Sequence, residues 1–184
     1  MTEAILLLTL LALAYAWAEG RRGVGGRRSG SRRRPTAPRG GYPTRPFRAR
    51  ARVVDGDGLE VTSLSTGDVM RVRLQDVDAP ELDQPEGLAA LGALRGLIGS
   101  GACEVEPRGP DRYGRLVALV RGEGGGDVGL ALIAAGYAIA LGPCPEAYRR
   151  AERRARATGQ GAWGRRGFVR PSRWRHREGA RARA

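Results

Sequence analysis

The 184-residue sequence contains no lysine, so arginine alone provides its 32 strongly basic side chains. Its single histidine, His176, lies within the last ten residues. The absence of lysine excludes a P-loop and a pyridoxal Schiff base, because both need a lysine amine. The absence of histidine from the body of the chain excludes Ser-His-Asp and Cys-His sites and histidine-based zinc sites. Any chemistry must therefore use carboxylates, arginines, backbone groups or a bound metal ion.

Cysteine and aromatic residues are also scarce. Cys103 and Cys144 allow one possible disulfide, and neither a CxxC pair nor a metal-finger spacing occurs. Aromatic residues make up 5% of the chain, but hydrophobic residues make up 41%, which is enough for a core. The length is typical of one compact domain with tails rather than of two full domains.

The formal net charge of +13 is concentrated in the flanks of the chain. Residues 20–50 contain eleven arginines and no acidic residue, and residues 164–184 contain eight arginines and one glutamate. Residues 51–163 are mildly acidic, with thirteen arginines and sixteen acidic residues. Such basic flanks either contact nucleic acid or another anionic surface or act as solvated linkers, and the sequence leaves both readings open.

An apolar run covers residues 4–18, interrupted by one threonine. As a helix it would be about 22 Å long, which is shorter than the ~30 Å hydrocarbon core of a membrane. This length and the small-x-small pattern at residues 16–18 are typical of a signal peptide, so we predict that residues 1–18 direct export. The arginines that follow favour the alternative, an uncleaved N-terminal membrane anchor.

Two further segments have too few large apolar side chains to offset the entropy cost of ordering. Residues 19–46 are rich in Arg, Gly and Pro and are predicted to be a disordered linker. Residues 167–184 are predicted to be a disordered basic tail. The candidate folded domain is therefore residues 47–166.

The predicted order of elements in this domain is three strands, one helix, two strands and two helices, without a βαβ alternation. Strands are predicted on both sides of a tight turn at 55–58 within 47–61, and at 69–74, 102–106 and 116–120. Helices are predicted at 87–98, 128–135 and 145–158. This order predicts a mainly β, α+β fold, an OB-type five-stranded Greek-key barrel with three α-helices. The alternative is a generic α+β sandwich.

Three short clusters contain the polar residues that could form a site. They are Asp-Gly-Asp at 55–57, Arg73 with Asp78 and Glu81, and Asp-Arg-Tyr-Gly-Arg at 111–115. Converging carboxylates repel each other and need a cation, and an all-oxygen donor set favours Ca²⁺ or Mg²⁺. Arginines bind phosphate oxygens in a bidentate manner. Together the clusters indicate a phosphodiester site, although each one alone is typical of an ordinary turn, loop or solvated strand.

In this order and spacing, the clusters resemble the motifs of the staphylococcal nuclease (thermonuclease) family. The matching stretches are Val-Val-Asp-Gly-Asp-Gly at 53–58, Val-Arg-Leu-Gln-Asp-Val-Asp-Ala-Pro-Glu at 72–81 and Asp-Arg-Tyr-Gly-Arg at 111–115. The resemblance covers residues 47–166 and implies the OB barrel with three helices. One departure is Gly58, which stands where the family usually has threonine.

The resemblance implies a metal site. Asp57 and Asp78 would bind one Ca²⁺ through their carboxylates, and Ala79 would add its backbone carbonyl. Asp55 is expected to be a turn residue rather than a ligand.

The resemblance also implies catalytic and substrate-binding residues. Arg73 and Arg115 would bind the scissile phosphate and stabilise the charged transition state. Glu81 would position or deprotonate the attacking water, and Tyr113 would line the nucleotide pocket.

These implied roles describe a calcium-dependent endonuclease that hydrolyses DNA and RNA and leaves 3′-phosphates. The expected partners are single-stranded DNA and RNA substrates, with anionic surfaces for the Arg-rich tails, and the chain is expected to be a monomer. A first alternative is a non-catalytic nucleic-acid-binding OB module. A second is a membrane-tethered structural protein whose linker contacts anionic lipid.

Overall fold

In this computed structural model, the residues described are 38, 41–165 and 168–181. The strands are β1 Phe47–Val53, β2 Gly58–Ser63, β3 Val69–Leu74, β4 Val77–Asp78, β5 Ala102–Pro110, β6 Leu116–Gly122 and β7 Ile139–Ala140. The helices are α1 Gly87–Ile98, α2 Val128–Ala134, α3 Glu146–Ala157 and α4 Pro171–Arg181, and a 3₁₀ turn spans Gly161–Gly164.

Five strands form a closed barrel in the order β1-β2-β3-β6-β5. All neighbouring strands are antiparallel except β3 and β6, which run parallel with Val72 opposite Leu116. This barrel confirms the predicted OB class, with α1, α2 and α3 in the three predicted places and α4 in addition. Strands β4 and β7 form a separate pair that the sequence did not reveal, because two residues are too few to show an alternating pattern.

The alternating pattern of β3 fixes which side chains face away from the core. Met70, Val72 and Leu74 are buried in the hydrophobic core, whereas Arg71 and Arg73 are half-buried on the other face. Burial of one such aliphatic side chain is worth about 1.5–3 kcal/mol, so a one-residue slip of this strand would be costly. Core packing therefore holds Arg73 on the outer wall of the barrel.

Ordered structure extends beyond both predicted ends of the domain. In the predicted tail, 167–184, the structure forms helix α4, and Phe168 packs edge-on against Trp163 with ring centroids 4.4 Å apart. In the predicted linker, 19–46, the Tyr42 hydroxyl donates to the Gly114 carbonyl oxygen at 2.7 Å. Both predictions of disorder were based on composition, which does not register individual contacts; of the predicted linker, only residues 38 and 41–46 are among the described residues.

The predicted signal peptide or anchor, residues 1–18, and most of the predicted linker lie outside the described residues. Among the described residues, no helix combines the length and apolar character needed to cross a membrane. Cys103 and Cys144 are both buried and free, so the possible disulfide is not formed.

Candidate active site

The Arg73 guanidinium lies at the centre of the candidate site. Its Nη1 donates to Asp57 Oδ2 at 2.8 Å, and its Nη2 donates to Asp78 Oδ1 at 3.3 Å. Nη2 also donates to the Val77 carbonyl oxygen at 3.0 Å. The structure thus brings together two predicted metal ligands and one predicted phosphate-binding arginine, although up to 21 residues separate them in sequence.

The β2–β3 pairing explains why Asp57 reaches Arg73. Gly58 is paired with Arg73 across the two strands, and the Leu74 N–H donates to the Asp57 carbonyl oxygen at 2.9 Å. The preceding turn is closed by Asp55, whose Oδ1 accepts the Asp57 N–H at 3.2 Å. Asp55 is therefore a turn residue, as expected.

Asp57 is a buried carboxyl group in a crowded acidic environment. Burial raises the pKa of Asp57 to about 6, although the Arg73 guanidinium lowers it. The nearby charges of Asp55 and Asp78 raise this pKa further, while a hydrogen bond from the Ala79 N–H at 3.3 Å lowers it. An additional cation would therefore stabilise the ionised form of Asp57.

The oxygen donors at this place fit a hard divalent cation. Asp57 and Asp78 are 7% and 0% exposed, and one guanidinium already holds them together. Within residues 41–165 and the described tail, no group of three or more Asp, Glu, His or Cys side chains is arranged to hold a metal. Two carboxylates would thus bind the ion together with backbone and water oxygens, which is a donor set that Ca²⁺ accepts.

Glu81 lies in the loop that joins β4 to α1. The backbone of this loop is held by Gln84, whose N–H donates to the Glu81 carbonyl oxygen at 2.9 Å. The Gln84 Oε1 in turn accepts the Glu81 N–H at 3.3 Å. The Glu81 side chain is 40% exposed. Its carboxylate points toward Asp78, because one further arginine donates hydrogen bonds to both carboxylates.

That arginine is Arg175, a residue of α4 that the sequence analysis did not identify. Its Nη1 donates to Asp78 Oδ1 at 3.0 Å and to Glu81 Oε1 at 2.6 Å, and its Nη2 donates to Asp78 Oδ2 at 3.1 Å. Burial lowers the pKa of Arg175, but these hydrogen bonds raise it by more. Pro171 at the first position of α4 was the available signal, because proline favours the first turn of a helix.

Arg115 and Tyr113 lie in the turn between β5 and β6 and make no direct contact with the Arg73 cluster. Arg115 binds Asp111, with Nε and Nη2 at 2.8 and 2.7 Å from Asp111 Oδ2. Burial raises the pKa of Asp111, but hydrogen bonds from Arg115 and from the Tyr113 N–H lower it by more. Tyr113 is 63% exposed, and its ring centroid lies 5.5 Å from the Arg115 guanidinium carbon.

The strand register nevertheless places Arg115 within reach of Arg73. Arg73 is paired with Val117 of β6, and Arg115 precedes Val117 by two residues on the same face. From the ordinary strand spacing and rise, the Cα atoms of the two arginines are about 8 Å apart. In this structure the Arg115 guanidinium is held by Asp111 rather than by the Arg73 cluster.

The fold and the site together define the class of protein: an OB barrel that has arginine–carboxylate pairs on its outer wall. The family model described as "Staphylococcal nuclease homologue" matches residues 71–165. This chain belongs to the staphylococcal nuclease family. The matched region contains every predicted site residue except Asp57, which the hydrogen bond from Arg73 connects to the site.

Curated relatives agree with this assignment. An "Uncharacterized endonuclease" of Haemophilus influenzae is 32% identical over 130 residues, which cover 69% of this chain and 71% of the relative. An "Uncharacterized endonuclease" of Escherichia coli O157:H7 is 31% identical over 133 residues, covering 69% of this chain and 83% of that protein. A "Micrococcal nuclease" of Shigella flexneri is 39% identical over 69 residues, 38% of each chain.

Proposed function

We propose that this protein is a calcium-dependent endonuclease that hydrolyses DNA and RNA and leaves 3′-phosphates. The observation that carries the proposal is the convergence of Asp57 and Asp78 on the guanidinium of Arg73. This combination of buried carboxylates and an arginine suits a phosphodiester, whose negative charge needs cations and hydrogen-bond donors. Membership of a nuclease family and the endonuclease names of the relatives support it.

In this proposal Asp57, Asp78 and the carbonyl of Ala79 hold the ion. Bound Ca²⁺ would supply Lewis-acid polarisation of the scissile phosphate. Arg73 would donate hydrogen bonds to the phosphate oxygens, with its guanidinium fixed by the barrel wall. Glu81, in the loop held by Gln84, would accept a hydrogen bond from the attacking water and orient it.

Arg115 and Tyr113 would complete the substrate site from the β5–β6 turn. Arg115 would exchange Asp111 for a phosphate oxygen and so add a second guanidinium to the developing charge. Tyr113 is exposed beside it and offers a ring on which a nucleotide base can stack. A stacking contact of this kind favours single-stranded substrates, because their bases are accessible.

The proposal extends to location and assembly. The apolar run at residues 4–18 would direct export, with a membrane anchor as the alternative, and the enzyme would act as a monomer. Cell fractionation combined with N-terminal sequencing of the mature protein tests the first point. Sedimentation of the purified protein tests the second.

The deciding experiment measures cleavage of labelled single-stranded DNA and RNA in excess Ca²⁺ and in EDTA. Arg73→Gln should lower the rate by 10²–10³, about 3 kcal/mol, because it removes a donor to the transition state. Arg71→Gln is the matched control, since Arg71 lies two residues away on the same strand face and pairs with Glu60 at 3.5 Å. Treatment of the products with a 3′-phosphatase identifies the new ends: products that carry a 3′-phosphate lose its negative charge and migrate more slowly in a gel.

Two other outcomes of the cleavage assay would contradict parts of the proposed function. Equal rates for Arg73→Gln and Arg71→Gln would contradict the role of Arg73. A folded protein that binds the oligonucleotides in Ca²⁺ but cleaves none of them would support the non-catalytic binding module instead.

A further inference from the structure

We propose that α4 is an internal competitor of the metal ion, in which Arg175 holds the metal-binding carboxylate of Asp78 until a divalent cation displaces it. This inference rests on the proposed Ca²⁺ site at Asp57 and Asp78. It adds a regulatory role for a part of the chain that lies beyond the matched family region, which ends at residue 165.

Both carboxylate oxygens of Asp78 are occupied by guanidinium groups. Oδ1 accepts from Arg73 at 3.3 Å and from Arg175 at 3.0 Å, and Oδ2 accepts from Arg175 at 3.1 Å. The Asp78 side chain is 0% exposed in this arrangement. A cation therefore reaches Asp78 only after one of the two arginines moves.

Arg175 is the arginine that can move at the lower cost. The Arg73 side chain is 19% exposed, belongs to strand β3 of the closed barrel and has further bonds to Asp57 and to the Val77 carbonyl. The Arg175 side chain is 46% exposed and belongs to the last helix of the described chain. Departure of Arg175 leaves the barrel intact, whereas departure of Arg73 would leave Asp57 buried without its guanidinium partner.

The charge of the cluster fits the exchange of Arg175 for a divalent ion. When ionised, the carboxylates of Asp57, Asp78 and Glu81 and the guanidinium of Arg73 carry a net charge of −2. Arg175 neutralises half of this charge, and a divalent cation would neutralise all of it. Because the guanidinium and the metal ion are both positive and use the same oxygens, they exclude each other.

The attachment of α4 is also suited to release. Pro171 at its first position is buried, but no side chain of the helix belongs to the hydrophobic core cluster formed by the described residues. Besides Arg175, the Trp174 indole N–H of the helix donates to Asp83 Oδ1 at 3.3 Å. The segment just before the helix contributes the Phe168–Trp163 ring contact and the Arg170 guanidinium, 3.8 Å from Glu152. Segments held in this way open at low cost without unfolding of the domain.

Two groups of the proposed site are inactive while α4 is docked. Arg175 covers Asp78, a metal ligand, and binds the carboxylate of Glu81, the proposed water-orienting group. Displacement of one helix would free both. By reciprocity, docking of α4 weakens Ca²⁺ binding by the same factor by which Ca²⁺ weakens docking of α4.

The test is a calorimetric Ca²⁺ titration of the full chain and of two single variants. Arg175→Gln should lower the apparent dissociation constant for Ca²⁺ by about three- to tenfold, because the carboxylates no longer need to be vacated. Arg177→Gln is the matched control, since it removes one arginine charge from the same helix at an exposed position, and its affinity should equal that of the wild type.

Hydrogen exchange of the wild-type chain provides a second readout that does not depend on activity. Saturating Ca²⁺ should increase amide exchange in residues 168–181, and exchange in β3 should not increase. Unchanged exchange in 168–181 with Ca²⁺ bound, or equal Ca²⁺ affinity of Arg175→Gln and wild type, would overturn the inference and leave the proposed nuclease intact. No Ca²⁺ binding by any of the three proteins would overturn the proposed metal site and this inference together.

Discussion

Gly87 begins helix α1 directly against the carbonyl oxygen of Glu81, and a Cβ at position 87 would lie 1.8 Å from that oxygen. Because Gly87 has no side chain, its backbone can lie against the Glu81 carbonyl, and the helix can begin only a short loop after Glu81, the proposed water-orienting residue. The same carbonyl accepts the N–H of Gln84, so both its hydrogen bond and its packing fix the loop. The position of Glu81 therefore depends on the absence of a side chain at residue 87.

Gly87→Ala should displace the Glu81 loop, because backbone atoms cannot yield to so close a contact. We expect a loss of about 1–3 kcal/mol in the free energy of unfolding and a large decrease in cleavage rate. Gly92→Ala in the same helix is the control, since its Cβ would meet nothing within 4 Å. Alanine there should stabilise the protein by about 0.5–1 kcal/mol and leave cleavage unchanged. Urea unfolding and the oligonucleotide assay measure both effects, and full activity of Gly87→Ala would contradict the prediction.

Asp57→Asn should make the metal-free protein more stable at pH 7 than the wild type. The pKa of Asp57 is raised from 3.8 to about 6 in the folded state, chiefly by burial. The contribution of the Asp57 carboxyl group to the free energy of unfolding is therefore fully present below pH 3.8, and it is lost as the pH rises through about 6. The difference corresponds to about 3 kcal/mol, so we expect the variant to gain about 1–3 kcal/mol at pH 7.

Urea unfolding in EDTA at pH 3.5 and pH 7 checks this sign. The stability gain of Asp57→Asn should nearly disappear at pH 3.5, where the wild-type carboxyl is largely protonated in both states. Excess Ca²⁺ should stabilise the wild type and not the variant. A gain that is equal at both pH values would show that the substitution acts through packing rather than through charge.

Gly58→Thr should lower the pKa of Asp57. A Cβ at residue 58 would lie 2.5 Å from Asp55 Oδ1, so a side chain there must push the Asp55 carboxylate away. Burial is the main cause that raises the pKa of Asp57, and the negative charge of Asp55 raises it further. Moving the Asp55 carboxylate away therefore removes part of the increase in the pKa of Asp57. NMR titration of the Asp57 carboxyl carbon measures the change, and Asp55→Asn should lower the pKa in the same direction. An unchanged pKa in both variants would exclude this coupling.

Tyr42→Phe should loosen the turn that carries Arg115. The Tyr42 hydroxyl donates to the Gly114 carbonyl oxygen at 2.7 Å, and Gly114 immediately precedes Arg115. Loss of one such bond costs about 0.5–1.5 kcal/mol, and we expect the cleavage rate to fall together with stability. Tyr137→Phe is a control at another half-buried tyrosine, for which a smaller effect on cleavage is expected. Identical cleavage by both variants would show that Tyr42 does not position the turn.

Most of the barrel could be predicted because the information is local. The alternation of apolar and basic residues in β3 assigns Arg73 to the outer face, and three motifs in a characteristic order identify the family. Strands β4 and β7 could not be predicted, because each has two residues and gains its hydrogen bonds only from the other. Helix α4 was missed because its composition is polar, and its stabilising partners lie on a distant part of the domain.

The sequence by itself determined the fold class, the family and the residue types available for chemistry, since these depend on periodicity, motif order, the absence of lysine from the chain and the absence of histidine from the barrel domain. Only the tertiary structure decided which charges meet. It brought Arg175 onto Asp78, 97 residues away, and it turned Arg115 toward Asp111 rather than toward Arg73. The physical reason is that an arginine pairs with the nearest carboxylate that folding brings within about 3 Å, and no local pattern encodes that distance.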